Sequence, residues 1–599
     1  MAEPAVRYRL EAASLRGHRF AVELRIARPA ARQVVSLPVW IPGSYLVREF
    51  ARHLNGLAAQ QGGAACAIEP LDKSSWAIDC DPRQPLVLRY EVYAFDDSVR
   101  TAWLDAQRGF FNGTSVLLRV HGHEAAPHAI TIGRPAQPEA RHWRAATTLA
   151  PRRVDARGFG DYAAADYDAL VDHPVELGDF WSGEFTAAGV PHRFVVAGAP
   201  ASFDGERLLR DAQAICEAAC RLWHGEGAPP FARYLFLLNA VDDGYGGLEH
   251  RDSTALICKR ADLPRLDAPA SAAAVGEGYV TLLGLISHEY FHAWNVKRLK
   301  PAEFAPYDYT RENYTRLLWF FEGVTSYYDD LLLRRAGLID DAAYLKLLTR
   351  SINQVLQAPG RHVQSVAQAS FDAWVRYYRP DAHTPNSTIS YYSKGALVAL
   401  CLDLTLRQGG HATLDDALRA LWQRCAGGPL TEADIAAALA EVGARSYAAE
   451  LAAWVHGTDE LPLQALLASQ GVAVHLDPSP LAQTLGLRVD ESRGAIVLKV
   501  VLDGSPAAEA GLAPGDEWLG LEVPAPQPAD GPRRAAAADA WRLARLDDIA
   551  LYAGRQRQVT ALVARDRRLL RLALTLPEAG TTWRLAAAPG DAPHPWPGR

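Results

Sequence analysis

The segment Ile286-Ser-His-Glu-Tyr-Phe-His-Ala-Trp294 constrains this chain more than any other. His288 and His292 stand at i and i+4, so on a helix they project from one face and can grip one metal ion. Glu289 follows the first of them and falls where a general base beside that ion belongs. Val280 to Leu285 is apolar and Pro301 closes the segment, which predicts a buried helix with a defined end. The bland alternative is a helix carrying two core histidines.

Two histidines do not complete a catalytic zinc site, which takes three protein ligands and keeps one position open. The apolar run Leu317-Leu-Trp-Phe-Phe-Glu-Gly-Val-Thr-Ser-Tyr-Tyr328 supplies one acid, Glu322. Carboxylates are seldom buried unless paired or metal-bound, so Glu322 is the candidate third ligand. Its alternative is a salt-bridged acid. The expected cofactor is one Zn²⁺ per chain.

At 599 residues the chain has room for three to four domains. With 49% hydrophobic and 22% charged residues it is globular, not disordered or a coiled-coil rod. A net charge of -7 provides no basic field for nucleic acid. No apolar run reaches the roughly 18 residues of a membrane span. The charged N-terminus lacks the apolar core of a signal peptide, and seven scattered cysteines fit a reducing compartment, so the expected location is the cytoplasm. Cys216 and Cys220, at helical spacing, read as a buried helix face. His121 to His128 (HGHEAAPH) looks metal-like, but nothing near it completes a ligand set.

Along the chain, residues 1–168 read as a β-sandwich-like domain, with alternation at Arg7–Ala13, Arg19–Ile26 and Leu86–Tyr93. Residues 169–458 read as a catalytic unit. Strands at His192–Val196 and Tyr234–Leu238 precede a mostly helical stretch with a capping box at Thr431–Asp434 and a glycine stop at Gly409-Gly410. A linker at His456–Pro462 leads to a third domain, 463–599, of short strands, with a Pro- and Ala-rich loop from Pro524 to Ala538. Strands first and helices second predict an α+β catalytic domain within a multidomain chain. Lysine is rare here: of seven, Lys297, Lys300 and Lys394 lie in or beside the motifs, where a specific amine geometry fits as well as chance clustering.

HEYFHAWNVKRLKP followed by WFFEGVTSYY resembles the glycyl aminopeptidase family of zinc metallopeptidases, as do Leu37–His53 and Asp166–Gly178. The resemblance spans nearly the whole chain. It implies a gluzincin with a β-rich N-terminal domain, a thermolysin-like, mainly helical catalytic domain and a C-terminal PDZ domain. It implies His288, His292 and Glu322 as zinc ligands and Glu289 as the base. Gly246-Gly-Leu-Glu-His250 is similar to the Gly-Ala-Met-Glu-Asn strand of aminopeptidase-N-type enzymes, which implies that Glu249, with Gly246 and Gly247 beside it, binds the free α-amine of a peptide substrate. Tyr392-Ser-Lys-Gly395 is similar to their Tyr-x-Lys-Gly pattern, which implies Tyr392 as oxyanion donor; Tyr391 competes for that role. Gly504 to Leu512 with Pro514-Gly-Asp516 resembles a bacterial PDZ domain, which implies capture of a peptide C-terminus, with Leu485–Val489 as the carboxylate loop.

Three activities fit these residues. The first is a zinc aminopeptidase acting on peptides with a free N-terminus, with the family's preference for Gly or Ala. The second is a zinc endopeptidase, which leaves Glu249 without a role. The third is an inactive PDZ peptide-binding scaffold.

Overall fold

A computed structural model describes residues 4–267, 276–410, 412–492, 494–524 and 538–588. Most of the expected loop between Pro524 and Ala538 lies outside the described residues.

The N-terminal part is β-rich, as its alternation predicts. Val6–Ser14 buries every second residue over most of its length, pairs antiparallel with Arg19–Ile26 and parallel with His128–Ile132. These strands belong to an eight-stranded sheet that also holds Leu86–Tyr93. Two four-stranded sheets pack with it around one apolar core. The expected boundary at 168 falls too early. Val175–Gly178 pairs with both Arg108–Phe111 and Arg144–Ala146, and Leu170, Val171 and Leu177 are buried in this same core. The partners of this strand lie far back in the chain, so local pattern could not assign it.

A five-stranded mixed sheet follows, in the order Trp181–Ala187, Val190–Ala197, Tyr234–Val241, Ser253–Lys259 and Gly246–Glu249. Helix Gly205–His224 makes the crossover between the parallel strands Val190–Ala197 and Tyr234–Val241 and buries Cys216 and Cys220 on its core face. The sheet is covered on both sides. Val195, Leu235 and Leu237 face the N-terminal core, while Phe194, Phe236 and Leu238 face the helices. That double burial explains why Tyr-Leu-Phe-Leu-Leu-Asn-Ala-Val241 is a continuous apolar run without strict alternation.

Helices Glu277–Phe291, Gly323–Arg335 and Ser393–Gln408 form the centre of the helical part. Gly323 sits where the last two cross. A Cβ there would stand 2.5 Å from Gly395 Cα, so only glycine permits this approach. The capping box at Thr431 and Asp434 and the helix end at Gly409 are present as expected. No described helix is long and apolar enough to cross a membrane.

The C-terminal part has a six-stranded antiparallel sheet running from Leu487–Asp490 at one edge to Arg568–Thr575 at the other, with its own core. The expected boundary at 463 cuts through packed structure. Leu463, Leu466 and Leu467, Val472 and Leu585 belong to the catalytic core. Strands Val472–Pro478 and Thr581–Ala587 pair with each other, and Asn353 exchanges two hydrogen bonds with the Trp583 backbone at 2.8 and 3.0 Å. The separately packed unit is therefore the sheet between these two strands.

Candidate active site

Helix Glu277–Phe291 carries His288 and Glu289 in its last turn, and His292 closes it with helical backbone angles. Glu322 lies at the junction of the one-turn helix Leu318–Phe321 and the Gly323–Arg335 helix. One ligand atom each from His288, His292 and Glu322 lies within 4.8 Å of the others. The Glu322 Oε2 atom is 3.2 Å from His292 Nε2 and 3.7 Å from His288 Nε2. A second set with the same mutual spacing joins Glu249, Glu289 and His292.

Both rings are oriented from behind. His288 Nδ1 meets Asp329 Oδ2 at 3.0 Å, and His292 Nδ1 meets the Asn295 carbonyl at 2.7 Å. Donation from Nδ1 leaves each Nε2 lone pair for a metal. Asn295 in turn donates to the Phe320 and Phe321 carbonyls and to Thr325 Oγ1, tying the turn after the histidines to the Glu322 segment. Neither Asp329 nor Asn295 was singled out in the sequence. Asp329 lies two helical turns beyond Glu322 on the same face, and that spacing is the signal that points to it.

Burial raises the Glu289 carboxyl to about 7, against the lowering by His288 and His292. Burial alone would raise Glu322 too, but His292 and His288 hold it at about 2. Two neighbouring carboxyls are thus driven apart, one toward a proton carrier and one toward a permanent anion. Glu289 Oε2 is buried with no partner among the described residues. A buried carboxylate oxygen left free, beside two imidazoles and a fixed anion, suits a cation and its water. The donor set fits zinc.

Glu249 ends the edge strand Gly246–Glu249, is 4% exposed and leaves Oε1 without a partner among the described residues. Gly247, two residues earlier, makes room for Glu289: a Cβ on Gly247 would stand 2.1 Å from Glu289 Oε1. Gly246 has no such contact, and Arg100 donates to the Gly247 carbonyl at 3.2 Å. On the other side, the N-terminal segment Ile41-Pro-Gly-Ser-Tyr45 reaches in. Gly43 has φ +93, and a Cβ there would stand 2.5 Å from Glu249 Oε2. Tyr45 is buried nearby with its hydroxyl unpartnered among the described residues.

His250 and Lys297 share one buried acid. Asp172 Oδ1 is 3.2 Å from His250 Nδ1 and 2.6 Å from Lys297 Nζ. Burial would raise the Asp172 carboxyl, but Lys297 and His250 outweigh it and hold it well below the usual range. This network, missed in the sequence, fixes the residue next to Glu249. Lys394 is turned to the Arg361 carbonyl at 3.4 Å and takes no part in the site.

Tyr392 stands at the start of helix Ser393–Gln408 and stacks on the His288 ring at 6.2 Å. Burial, with Glu322 next in weight, raises its phenol well above the ordinary value, so it remains a donor. Tyr391 is completely buried against Tyr377 with its hydroxyl unpartnered among the described residues. In the N-terminal part, the histidines of HGHEAAPH are engaged otherwise: His121 with Ser36 Oγ, His123 with the Arg28 carbonyl and His128 with the Ala126 carbonyl.

No curated protein matches the chain. Weaker structural likenesses include an M1 zinc metallopeptidase from Deinococcus radiodurans, at 16% identity over 76% of this chain and 94% of that one, with a TM-score of 0.46. A solved aminopeptidase N family protein from Idiomarina loihiensis is 34% identical, covers 98% of both chains and superposes with a TM-score of 0.88. Residues 281–398 match the M61 glycyl aminopeptidase family, and residues 7–179 match the peptidase M61 N-terminal domain. A chain whose N-terminal sheets, histidine helix and Glu322 helix all follow that pattern belongs to the M61 glycyl aminopeptidase family of peptidases.

Proposed function

We propose that this peptidase is a zinc-dependent aminopeptidase that removes small N-terminal residues, Gly or Ala, from peptides. The observation that carries it is the pair of overlapping sets at one place, His288–His292–Glu322 and Glu249–Glu289–His292. The first set would hold one zinc ion per chain, which supplies Lewis acidity toward a carbonyl oxygen. Glu289, with a carboxyl poised near neutrality, takes a proton from the attacking water and passes it to the leaving amine. Tyr392 donates to the developing oxyanion, with Tyr391 as the competing residue. Glu249 holds the substrate's α-ammonium, and Gly43 packs directly behind that carboxylate. The close approach of Gly43 supports an exopeptidase over an endopeptidase, and the preference for small first residues rests on the family resemblance.

Strand Leu487–Asp490 lies at the edge of the C-terminal sheet, with no second strand partner among the described residues, and suits strand addition by a peptide C-terminus, which supports a PDZ role for that part. The test of the main reading is kcat/KM for Gly-, Ala-, Leu- and acetyl-Ala-peptides, with metal analysis of the same preparation. Free-amine substrates should be strongly preferred. Equal cleavage of acetylated and free peptides sinks the aminopeptidase reading, and activity without stoichiometric zinc sinks the metal one.

A further inference from the structure

Away from the zinc ligands lies a cavity of about 580 Å³, between the N-terminal part and the turns that follow the histidine helix. Its wall carries Arg119, Arg251, Lys297, Arg298 and Lys300. Most of these charges are accounted for. Arg119 meets Glu124 at 3.0 Å, Lys297 meets Asp172 at 2.6 Å, and Arg298 donates to the carbonyls of Arg251, Ala293 and Pro230. Arg251 pairs loosely with Asp168 at 3.7 Å and with Asp172 at 4.0 Å, and Asp168 also accepts from the Tyr309 hydroxyl. Asp166 is spent capping a helix through the Ala169 N–H.

Lys300 is the exception. It is 8% exposed, and among the described residues no acid within ion-pairing distance and no hydrogen-bond acceptor holds its ammonium; Asp168 and Asp172 act on it only from further off. Its Nζ lies over the Tyr307 ring face, 4.5 Å from the centroid. A cation–π contact does not replace a direct counter-ion for a largely buried ammonium whose neighbours are two cations, Arg251 and Lys297, as well as the more distant acids Asp168 and Asp172. In a chain that otherwise favours arginine, this lysine lines a cavity where five cations outnumber the three acids Glu124, Asp166 and Asp168.

We propose that the cavity binds a small oxyanion, a carboxylate or a phosphate, held between Lys300 and Arg251. The aromatic walls Tyr167, Phe304 and Tyr307 leave space for an apolar or planar body attached to the anionic head. Burial, then Arg251 and Lys297, lowers the Lys300 ammonium to about 8, and a bound anion reverses that pressure. None of the residues lining the cavity is a proposed zinc ligand, though Lys297 donates its backbone N–H to the His292 carbonyl at 3.1 Å.

The test is a thermal-shift titration of the zinc-loaded full chain with sodium phosphate and, separately, sodium acetate, against sodium chloride at equal ionic strength. Saturable stabilisation beyond that of chloride is expected. Lys300→Gln should weaken it at least tenfold, while Lys300→Arg should keep it. Response to phosphate alone assigns a phosphate head, and response to acetate assigns a carboxylate. A shift no larger than that of chloride, or one unchanged in a folded Lys300→Gln, overturns the proposal. Should Lys300→Gln not fold, a wild-type crystal soaked in phosphate decides: an anion within hydrogen-bond reach of Nζ supports the site, and solvent alone overturns it.

Discussion

Gly247→Ala is the sharpest single perturbation of the catalytic proposal, because it adds one methyl group at a known place. That carbon would stand 2.1 Å from Glu289 Oε1, 2.3 Å from Cδ and 2.5 Å from Cγ. Rotating the carboxylate cannot relieve the clash, since three successive atoms of the side chain are involved. Restoring ordinary contact needs a shift of about 1.3 Å in Glu289 or in the edge strand, and a misplacement on the order of 1 Å costs about 100-fold in rate. The expected loss in kcat/KM is therefore about 100-fold, or ~2.7 kcal/mol of transition-state stabilisation. Zinc content should stay at the wild-type level, because the methyl meets none of the three proposed ligands. Gly284→Ala is the control. It lies on the same histidine helix, its Cβ would meet only Asp330 Oδ1 at 3.5 Å, and an alanine there should be neutral or stabilising by roughly 0.5–1 kcal/mol. The assay is kcat/KM on an alanyl anilide with zinc measured in the same samples. Near wild-type turnover in Gly247→Ala refutes Glu289 as the base, and parallel loss of zinc and activity places the damage at the metal instead.

Glu322→Ala should lose metal and activity together, whereas Glu289→Gln should keep the metal and lose roughly 10²–10⁴-fold in kcat, the span of a general base; stoichiometric zinc in the first variant removes Glu322 from the ligand set. Lys297→Met should cost about 3 kcal/mol in denaturant unfolding, the low end for breaking a buried pair, because His250 and the Arg251 N–H still reach Asp172. The Asp172 carboxyl is depressed in the folded state, so this contribution is present above its unfolded value near pH 4 and fades as pH falls below it; a cost that instead grows on acidification contradicts the pairing. Asn386→Ala should cost roughly 1–3 kcal/mol, because Asn386 donates to the Val501 carbonyl and accepts from the Asp503 N–H, and both would lose a buried partner. An unchanged melting temperature in that variant removes this contact between the C-terminal sheet and the segment leading to Tyr392.

Legibility in the sequence follows the distance over which each feature is encoded. His288, Glu289 and His292 share one helix, so helical periodicity alone brings them to one face, and the structure keeps that helix. Glu322 was legible for a different reason: an acid in a fully apolar segment needs a partner, wherever that partner lies. Asp172 carries the same kind of signal more weakly, because its surroundings are mixed and its partners, His250 and Lys297, sit on other elements. The value of Gly247 was invisible, since only the tertiary approach of the edge strand to the histidine helix sets its methyl-sized gap. The two displaced boundaries have the same origin. Val175–Gly178 and Thr581–Ala587 each complete structure begun far earlier in the chain, and strand pairing over that range has no local signature.

The choice between Tyr391 and Tyr392 turns on where one helix begins. Neighbouring residues at a helix start point about 100° apart, so which one faces the proposed zinc ligands depends on the residue at which the helix begins. Here the regular helix begins at Ser393, with Tyr392 as its cap. That start is set by the close passage of Gly395 against Trp319 and Gly323, where a Cβ would come within 2.7 Å of the Trp319 carbonyl. The glycine that follows Glu322 and the glycine that follows Lys394 are therefore two halves of one contact. They lock the helix that carries the third proposed ligand against the helix that carries Tyr392, and the stacking of Tyr392 on His288 follows from that crossing. A bulkier residue at either glycine would turn the tyrosine pair relative to the site, so the Glu-Gly and Lys-Gly dipeptides specify one joint between the two helices.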